Sequence, residues 1–275
     1  MAERPDRNWS LWLGVAITLA IVLPAALSLV WTPYPPAAID IKARLQGWSA
    51  AHLLGTDPFG RDVLSLLMAG ARNSIGIALG AVALSVGIGV PLGALAAARG
   101  GWLDNLLMRG SDLLFAFPAV LTAIMLAAAL GPSMGVAILA IGLFNLPVFA
   151  RVTRSAAVRI WPRAFVQAAR LSGKSRTRIT LEHVLPNILD QLLVQVTLQL
   201  ALAILTEAGL GYLGLSVPPP APTLGRMLAD AQSFLAVSPR LAILPGLAIA
   251  LAVLGLNLLG DGLRDRLDPR LGRQP

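Results

Sequence analysis

The sequence contains no cysteine and only two histidines, His52 and His183. That removes disulfide frameworks, thiolate zinc sites, cysteine nucleophiles and any histidine-rich metal cage. Charge is scarce too: 13% of the 275 residues are Asp, Glu, Lys or Arg, against roughly 25% in soluble domains. Aromatics make up 5% and do not interleave with basic residues as a base-stacking surface would require. No nucleic-acid partner is expected. Low charge and apolar runs without heptads also exclude disorder and coiled coils.

What the chain has in abundance is apolar surface. Hydrophobic residues make up 56% of it, and the mean hydropathy is +0.73. The expected class is an all-α integral membrane protein in a lipid bilayer. A bilayer core about 30 Å thick needs roughly 20 apolar helical residues. Leu11 to Trp31 supplies a first span, with Pro24 inside it. Ser74 to Ala98 is the second. Leu113 to Ala150 is uncharged throughout and would measure about 57 Å as one helix. It must turn back, and Gly131-Pro132-Ser133-Met134-Gly135 provides the turn. Ile188 to Leu210 and Leu241 to Gly260 complete six transmembrane helices.

The net charge of +8 is a topology signal rather than a nucleic-acid footprint. With both termini inside, sixteen basic residues fall on inner segments and six on outer ones. The positive-inside rule then makes both termini cytoplasmic. Eight of the sixteen lie between Arg151 and Arg178.

Three extramembrane stretches are more specific than connectors. The outer one, His52 to Ser74, holds Thr56, Asp57, Gly60, Arg61 and Asp62, turn formers leading into an amphipathic piece. A capped surface helix with an Asp/Arg pair worth under about 1 kcal/mol is the plainer reading. In the inner stretch, Arg163 to Leu171 reads as a short helix ended by Gly173, with a second from Thr177 to Val184 stopped by Pro186. Small residues Ala168, Ala169 and Gly173 suit a compact knob for a soluble partner; a basic amphipathic helix in the headgroups fits equally. Residues 168–175 fall one glycine short of a phosphate-binding loop, and a helix precedes them where a strand is needed. The third stretch, Glu207 to Asp230, carries a stiff run from Pro218 to Pro222.

Inside the membrane, Gln191, Gln195 and Gln199 recur every four residues along one stripe. They either line a translocation path or hydrogen-bond between helices. Paired carboxylates, HExxH and Ser/His/Asp arrangements are missing at membrane depth. Asp190 and Glu207 stand about 25 Å apart on one helix, too far for an acid–base pair. A membrane enzyme or an ion-coupled secondary transporter is therefore the alternative, not the expectation.

The motifs HLLGTDPFGRDVLS and GARNS at 52–74, FVQAARLSG and HVLPN at 165–187, and EAGLGYLGLSVPPPAPTLGRML at 207–228 resemble the dipeptide/oligopeptide/nickel family of bacterial ABC importer permeases. The resemblance is to its C-type subunit and covers most of the chain. It implies a type I importer transmembrane domain in the bacterial inner membrane, built as an N-terminal part (1–72), a permease core (73–262) with a coupling loop at 151–187, and a tail (263–275). It implies a second permease, two cytoplasmic ATPases and an extracytoplasmic solute-binding protein. ATP and Mg would be used by those ATPases and no cofactor bound by this chain. The cargo would be small peptides, nickel or a metal–chelator complex. The family's EAA loop couples to the ATPase, which by resemblance assigns coupling to Arg163, Val166, Gln167, Ala168, Ala169, Gly173, His183, Pro186 and Asn187. Gln167 stands where the family usually has Glu. Contact with the binding protein falls on Thr56, Asp57, Gly60, Arg61 and Asp62.

Overall fold

Apolar runs become helices here because a backbone in lipid must satisfy its own hydrogen bonds. The computed structural model describes residues 9–267; Arg4, Arg7, Arg270 and Arg273 and most of the 263–275 tail lie outside them. Ten α-helices follow in order: α1 Trp9–Leu27, α2 Val63–Arg99, α3 Gly101–Phe115, α4 Ala119–Leu130, α5 Met134–Ile160, α6 Ala164–Leu171, α7 Arg176–Ile179, α8 Leu189–Tyr212, α9 Leu224–Ala231 and α10 Arg240–Leu267. A π-helical turn, Thr180–Val184, and a 3₁₀ turn, Pro186–Ile188, join α7 to α8.

Five of these helices, α1, α2, α5, α8 and α10, are long and apolar enough to cross a membrane, and the bent pair α3–α4 makes up to six. The pair corrects the expected hairpin. Its turn is where the sequence put it, with Gly131 at φ +79° and Ser133 capping α5. Its first arm, however, is not one straight span: α3 and α4 meet at 80°. Pro118, just ahead of α4, cannot continue the α3 ladder. Asp104 of α3 also takes two hydrogen bonds of 2.5 Å from the Arg154 guanidinium, and Asp112 is held by Arg151, so α3 lies across the end of α5.

The expected boundaries at 72/73 and 262/263 also fall inside helices. α2 starts at Val63, where Asp62 caps it, and runs unbroken to Arg99; α10 continues to Leu267. Likewise α5 extends past Ala150 to Ile160, so Arg151, Arg154 and Arg159 are helical rather than loop residues.

α2 and α5 run side by side in the same direction. At Gly93 an added Cβ would sit 2.2 Å from the Ala150 carbonyl oxygen, so only glycine permits this approach. Ser85 donates to the Gly142 carbonyl at 2.8 Å, a polar tie across the same seam. The core beside it gathers Ile77, Ala81, Ile141, Phe149, Ile204 and Ala252 from α2, α5, α8 and α10. α1 packs against α10 in the opposite sense, with Gly14 on Leu259 and Gly262 on Leu11. The bundle therefore has two ends: a basic end carrying α6 and α7, and a far end carrying residues 34–62 and α9.

Candidate functional site

The basic end holds a small rigid knob. α6 follows Arg163, whose extended backbone (ψ 144°) opens the helix. It closes at Gly173, where φ is +79° and a side chain would meet open space. The chain then reverses, and the Ser175 hydroxyl accepts from the Arg178 amide at 3.3 Å to start α7. Val166 and Ala169 turn inward, packed with Ala156, Ala157, Ile179, Val184, Ile188 and Leu192. Arg176 Nη1 donates to the Ala98 carbonyl at 2.8 Å, pinning the knob to the end of α2.

Of the residues assigned to coupling, Val166 and Ala169 support the knob from beneath rather than present its surface. Arg163, Gln167, Ala168, Gly173, Pro186 and Asn187 are exposed, and His183 is half-buried. Gln167 Nε2 donates to the Trp161 carbonyl at 2.9 Å, and Asn187 Nδ2 to the His183 carbonyl at 2.7 Å. His183 lies 3.3 Å from Lys174 Nζ and edge-on to Phe165. Glu182 binds Lys174 Nζ and Arg178 Nε, each at 2.6 Å. Those two cations push its carboxyl down to about 2. The 168–175 segment is thus a helix end and turn, with Lys174 committed to Glu182.

The far-end loop holds the Asp57–Arg61 pair and the Asp62 helix cap of the plainer sequence reading. Thr56, Asp57, Gly60 and Asp62 are buried, not displayed. Thr56 Oγ1 donates to the Ala43 carbonyl and accepts from the Gln46 amide at 2.9 Å. Asp57 accepts from the amides of Phe59 (2.8 Å) and Arg61 (2.9 Å) and from Arg61 Nε (2.6 Å). Asp62 accepts from the Ser65 amide and hydroxyl at 2.8 and 2.7 Å and lies 2.9 Å from His52 Nδ1. Gly60 sits against the Asp40 carbonyl. The physical reason is economy of hydrogen bonds: a compact loop has few ladder partners, so side-chain oxygens satisfy its amides. Arg61 remains partly open at the rim of a cavity of about 280 Å³ shared with Phe59, Met227, Asp230 and Phe234. Arg240, which sequence reasoning passed over, closes the loop by donating to the carbonyls of Leu54 (2.8 Å), Thr56 (3.2 Å) and Gln46.

In the middle of the bundle the glutamine stripe changes character along α8. Gln191 is exposed, Gln195 half-buried and Gln199 buried. With 3.6 residues per turn, each four-residue step rotates the stripe by about 40°. One stripe therefore cannot keep one environment. The apolar groove of about 500 Å³ on this helix is lined instead by Leu205, Ala208, Gly209, Tyr212, Leu228 and Gly246. Glu207, fully buried, accepts from the Ser216 hydroxyl at 3.0 Å. Beside it the Leu224 amide donates to Ser74 Oγ at 3.1 Å and Asn73 Nδ2 to the Pro222 carbonyl at 2.7 Å. These bonds stitch the proline-rich segment to α2 and α8.

Comparison with known proteins is consistent over most of the chain. The family model of the binding-protein-dependent transport system inner membrane component matches residues 89–273. A dipeptide transport system permease protein DppC of Alkalihalophilus pseudofirmus is 40% identical over 94% of this chain and 85% of its own length. A di/tripeptide transport system permease protein DppC of Pseudomonas aeruginosa is 41% identical over 94% and 88%. A glutathione transport system permease protein GsiD of Pectobacterium atrosepticum is 38% identical over 94% and 87%. Among solved structures, an inward-facing MetNI methionine ABC transporter chain superposes with a TM-score of 0.60 at 18% identity, covering 71% of this chain and 93% of that one. That likeness places the fold with the transmembrane domains of type I ABC importers. The chain belongs to the family of binding-protein-dependent transport system inner membrane components.

Proposed function

We propose that this permease forms half of the translocation path of an ATP-driven importer of small peptides and takes the ATPase stroke through α6. The observation that carries the reading is the knob itself. Its inner face is fused to α5 and α8 by the Val166–Ile179–Ile188 cluster, while its outer face is uncovered. A push on α6 would therefore move the two helices that pack on α2 and α10. The names of the dipeptide, di/tripeptide and glutathione relatives support peptide cargo over nickel or a metal–chelator complex.

The remaining assembly follows from this reading. The basic end faces the cytoplasm, with both termini on that side, and a second permease completes the path. Two ATPase subunits supply ATP and Mg chemistry. A solute-binding protein meets the far end, where Phe59 and Leu53 stand exposed on the scaffold made by Asp57 and Asp62. The test is dipeptide uptake into vesicles containing the full complex. Uptake should require both ATP and the binding protein; uptake driven by an ion gradient without ATP would refute it.

A further inference from the structure

α1 packs on α10 through glycines and is tied to α2 at its far end. There Arg72 Nη1 donates to the Ser28 carbonyl at 3.0 Å, and Arg72 Nε reaches Asn73 Oδ1 at 3.4 Å. Further into the bundle lies a cavity of about 250 Å³, bounded by Thr18 and Ile21 of α1, Ile75 and Leu79 of α2, Ile204 of α8 and Ala252 of α10. The lining is apolar except for the Thr18 hydroxyl, whose oxygen is buried without a hydrogen-bond partner among the described residues. A buried water needs about two to four polar partners, so this lining suits hydrocarbon instead. Leu79 is exposed and Ile75 half-buried, which puts the mouth of the cavity on the α2 side.

Arg72 stands at the outer edge of that cavity. Arg72, Ile75 and Leu79 follow the three- and four-residue steps of one helix face, about 4.5 and 10 Å along the axis from the arginine. Both bonds of Arg72 go to neutral oxygens, and among the described residues no carboxylate pairs with it. Trp31, exposed three positions after Ser28, marks this depth as the membrane interface, where tryptophans gather. One helix face thus runs from a cation at headgroup level to an apolar cavity below it. A phospholipid presents the complementary order, a phosphate and then an acyl chain. Moving the chain from bulk lipid gains no hydrophobic energy, since lipid tails are as apolar as leucine. The gain lies in dispersion contacts with the lining and in a charge-assisted bond to the phosphate.

We propose that a phospholipid of the leaflet at the far end docks here, its phosphate on Arg72 and one acyl chain in the cavity, wedging α1 against α2, α8 and α10. The test is photolabelling of the complete complex, delipidated in detergent, with a phosphatidylglycerol carrying a diazirine at mid-chain. Thr18, Ile21 and Ile75 should be labelled, and excess unlabelled phosphatidylglycerol should suppress the labelling. Arg72→Gln keeps a donor for the Ser28 carbonyl but loses the charge, and should lower labelling roughly tenfold. Arg72→Lys keeps the charge and should stay within about threefold of the parent. Ile75→Trp fills the mouth and should lower labelling as Arg72→Gln does, with unchanged elution of the complex on size exclusion. Labelling of these residues no stronger than that of Leu23, which is exposed on the same half of α1, would mean surrounding lipid only and overturn the proposal. So would labelling unaffected by Arg72→Gln. Competition by inorganic phosphate as strong as by the lipid would make Arg72 a free-anion site and overturn it as well. Leu79 replaced by p-benzoylphenylalanine should crosslink to lipid; a crosslink to the second permease instead would assign the cavity to a protein side chain and refute the lipid.

Discussion

Asp62 carries more of the far end than its place in a turn suggests. Its carboxylate caps the first turn of α2 through the Ser65 amide, accepts the Ser65 hydroxyl and meets His52 Nδ1, all within 2.9 Å. Its side chain is 2% exposed and that of His52 is 15%. Asp62→Ala removes the cap, worth about 1 kcal/mol. It also leaves the buried Ser65 hydroxyl proton without its acceptor, a further 1–3 kcal/mol or so, although the oxygen still accepts from the Tyr34 amide at 3.0 Å and His52 can reach water. The expected total is about 2–4 kcal/mol, concentrated at the start of α2. Asp62→Asn keeps one acceptor for the Ser65 groups and should cost about 1 kcal/mol. Thermal unfolding in detergent measures the loss. A single cysteine in place of Ala69, which is buried in α2, measures fraying through its thiol reactivity. Equal melting temperature and equal reactivity in Asp62→Ala and its parent would refute the capping argument.

Three further outcomes follow. Glu182 titrates near 2 against a usual 4.5, so its contribution is present above about 4.5 and lost as pH falls through 2; protease protection of the 174–183 turn should fall over that window, and Glu182→Gln should flatten the response. Gly93→Leu would drive a side chain into the Ala150 carbonyl and should destabilise the α2–α5 seam by at least about 1–3 kcal/mol, read as a lower melting temperature; an unchanged one would contradict the packing. Single cysteines in this cysteine-free chain should be shielded from an impermeant reagent in intact cells at Ser175 and labelled at Ser49; labelling at Ser175 would reverse the proposed orientation.

The apolar runs made most spans legible because lipid leaves an unbroken apolar stretch few options but a helix. The helix–glycine–helix knob was legible for the same local reason: Gly173 needs positive φ, and its neighbours pattern as two short helices. What was hidden depends on partners distant in sequence. The 80° break before α4 joins a local signal, Pro118, to tertiary ones, Arg151 and Arg154, which reach back to Asp112 and Asp104. Thr56, Asp57 and Asp62 read as a surface turn because their partners, Ala43, Gln46, Ser65 and His52, assemble only when the loop closes under Arg240. The exposure of Leu171 was not legible either, since a leucine ending an amphipathic helix ordinarily faces inward. Its exposure is set by how Val166 and Ala169 seat the helix.

Substrate uptake measured together with recovery of the ATPase subunits in Ala168→Trp, Gly173→Trp and Gly173→Ala tests the account most directly. Ala168 is exposed on α6 and carries no backbone strain, so tryptophan there adds bulk alone. Gly173→Ala imposes the positive-φ penalty, about 1–2 kcal/mol, without bulk. The account predicts that both tryptophan variants insert and accumulate but lose uptake and ATPase recovery, while Gly173→Ala retains most of both. Full uptake with normal ATPase recovery in Ala168→Trp would contradict the claim that α6 is the coupling knob.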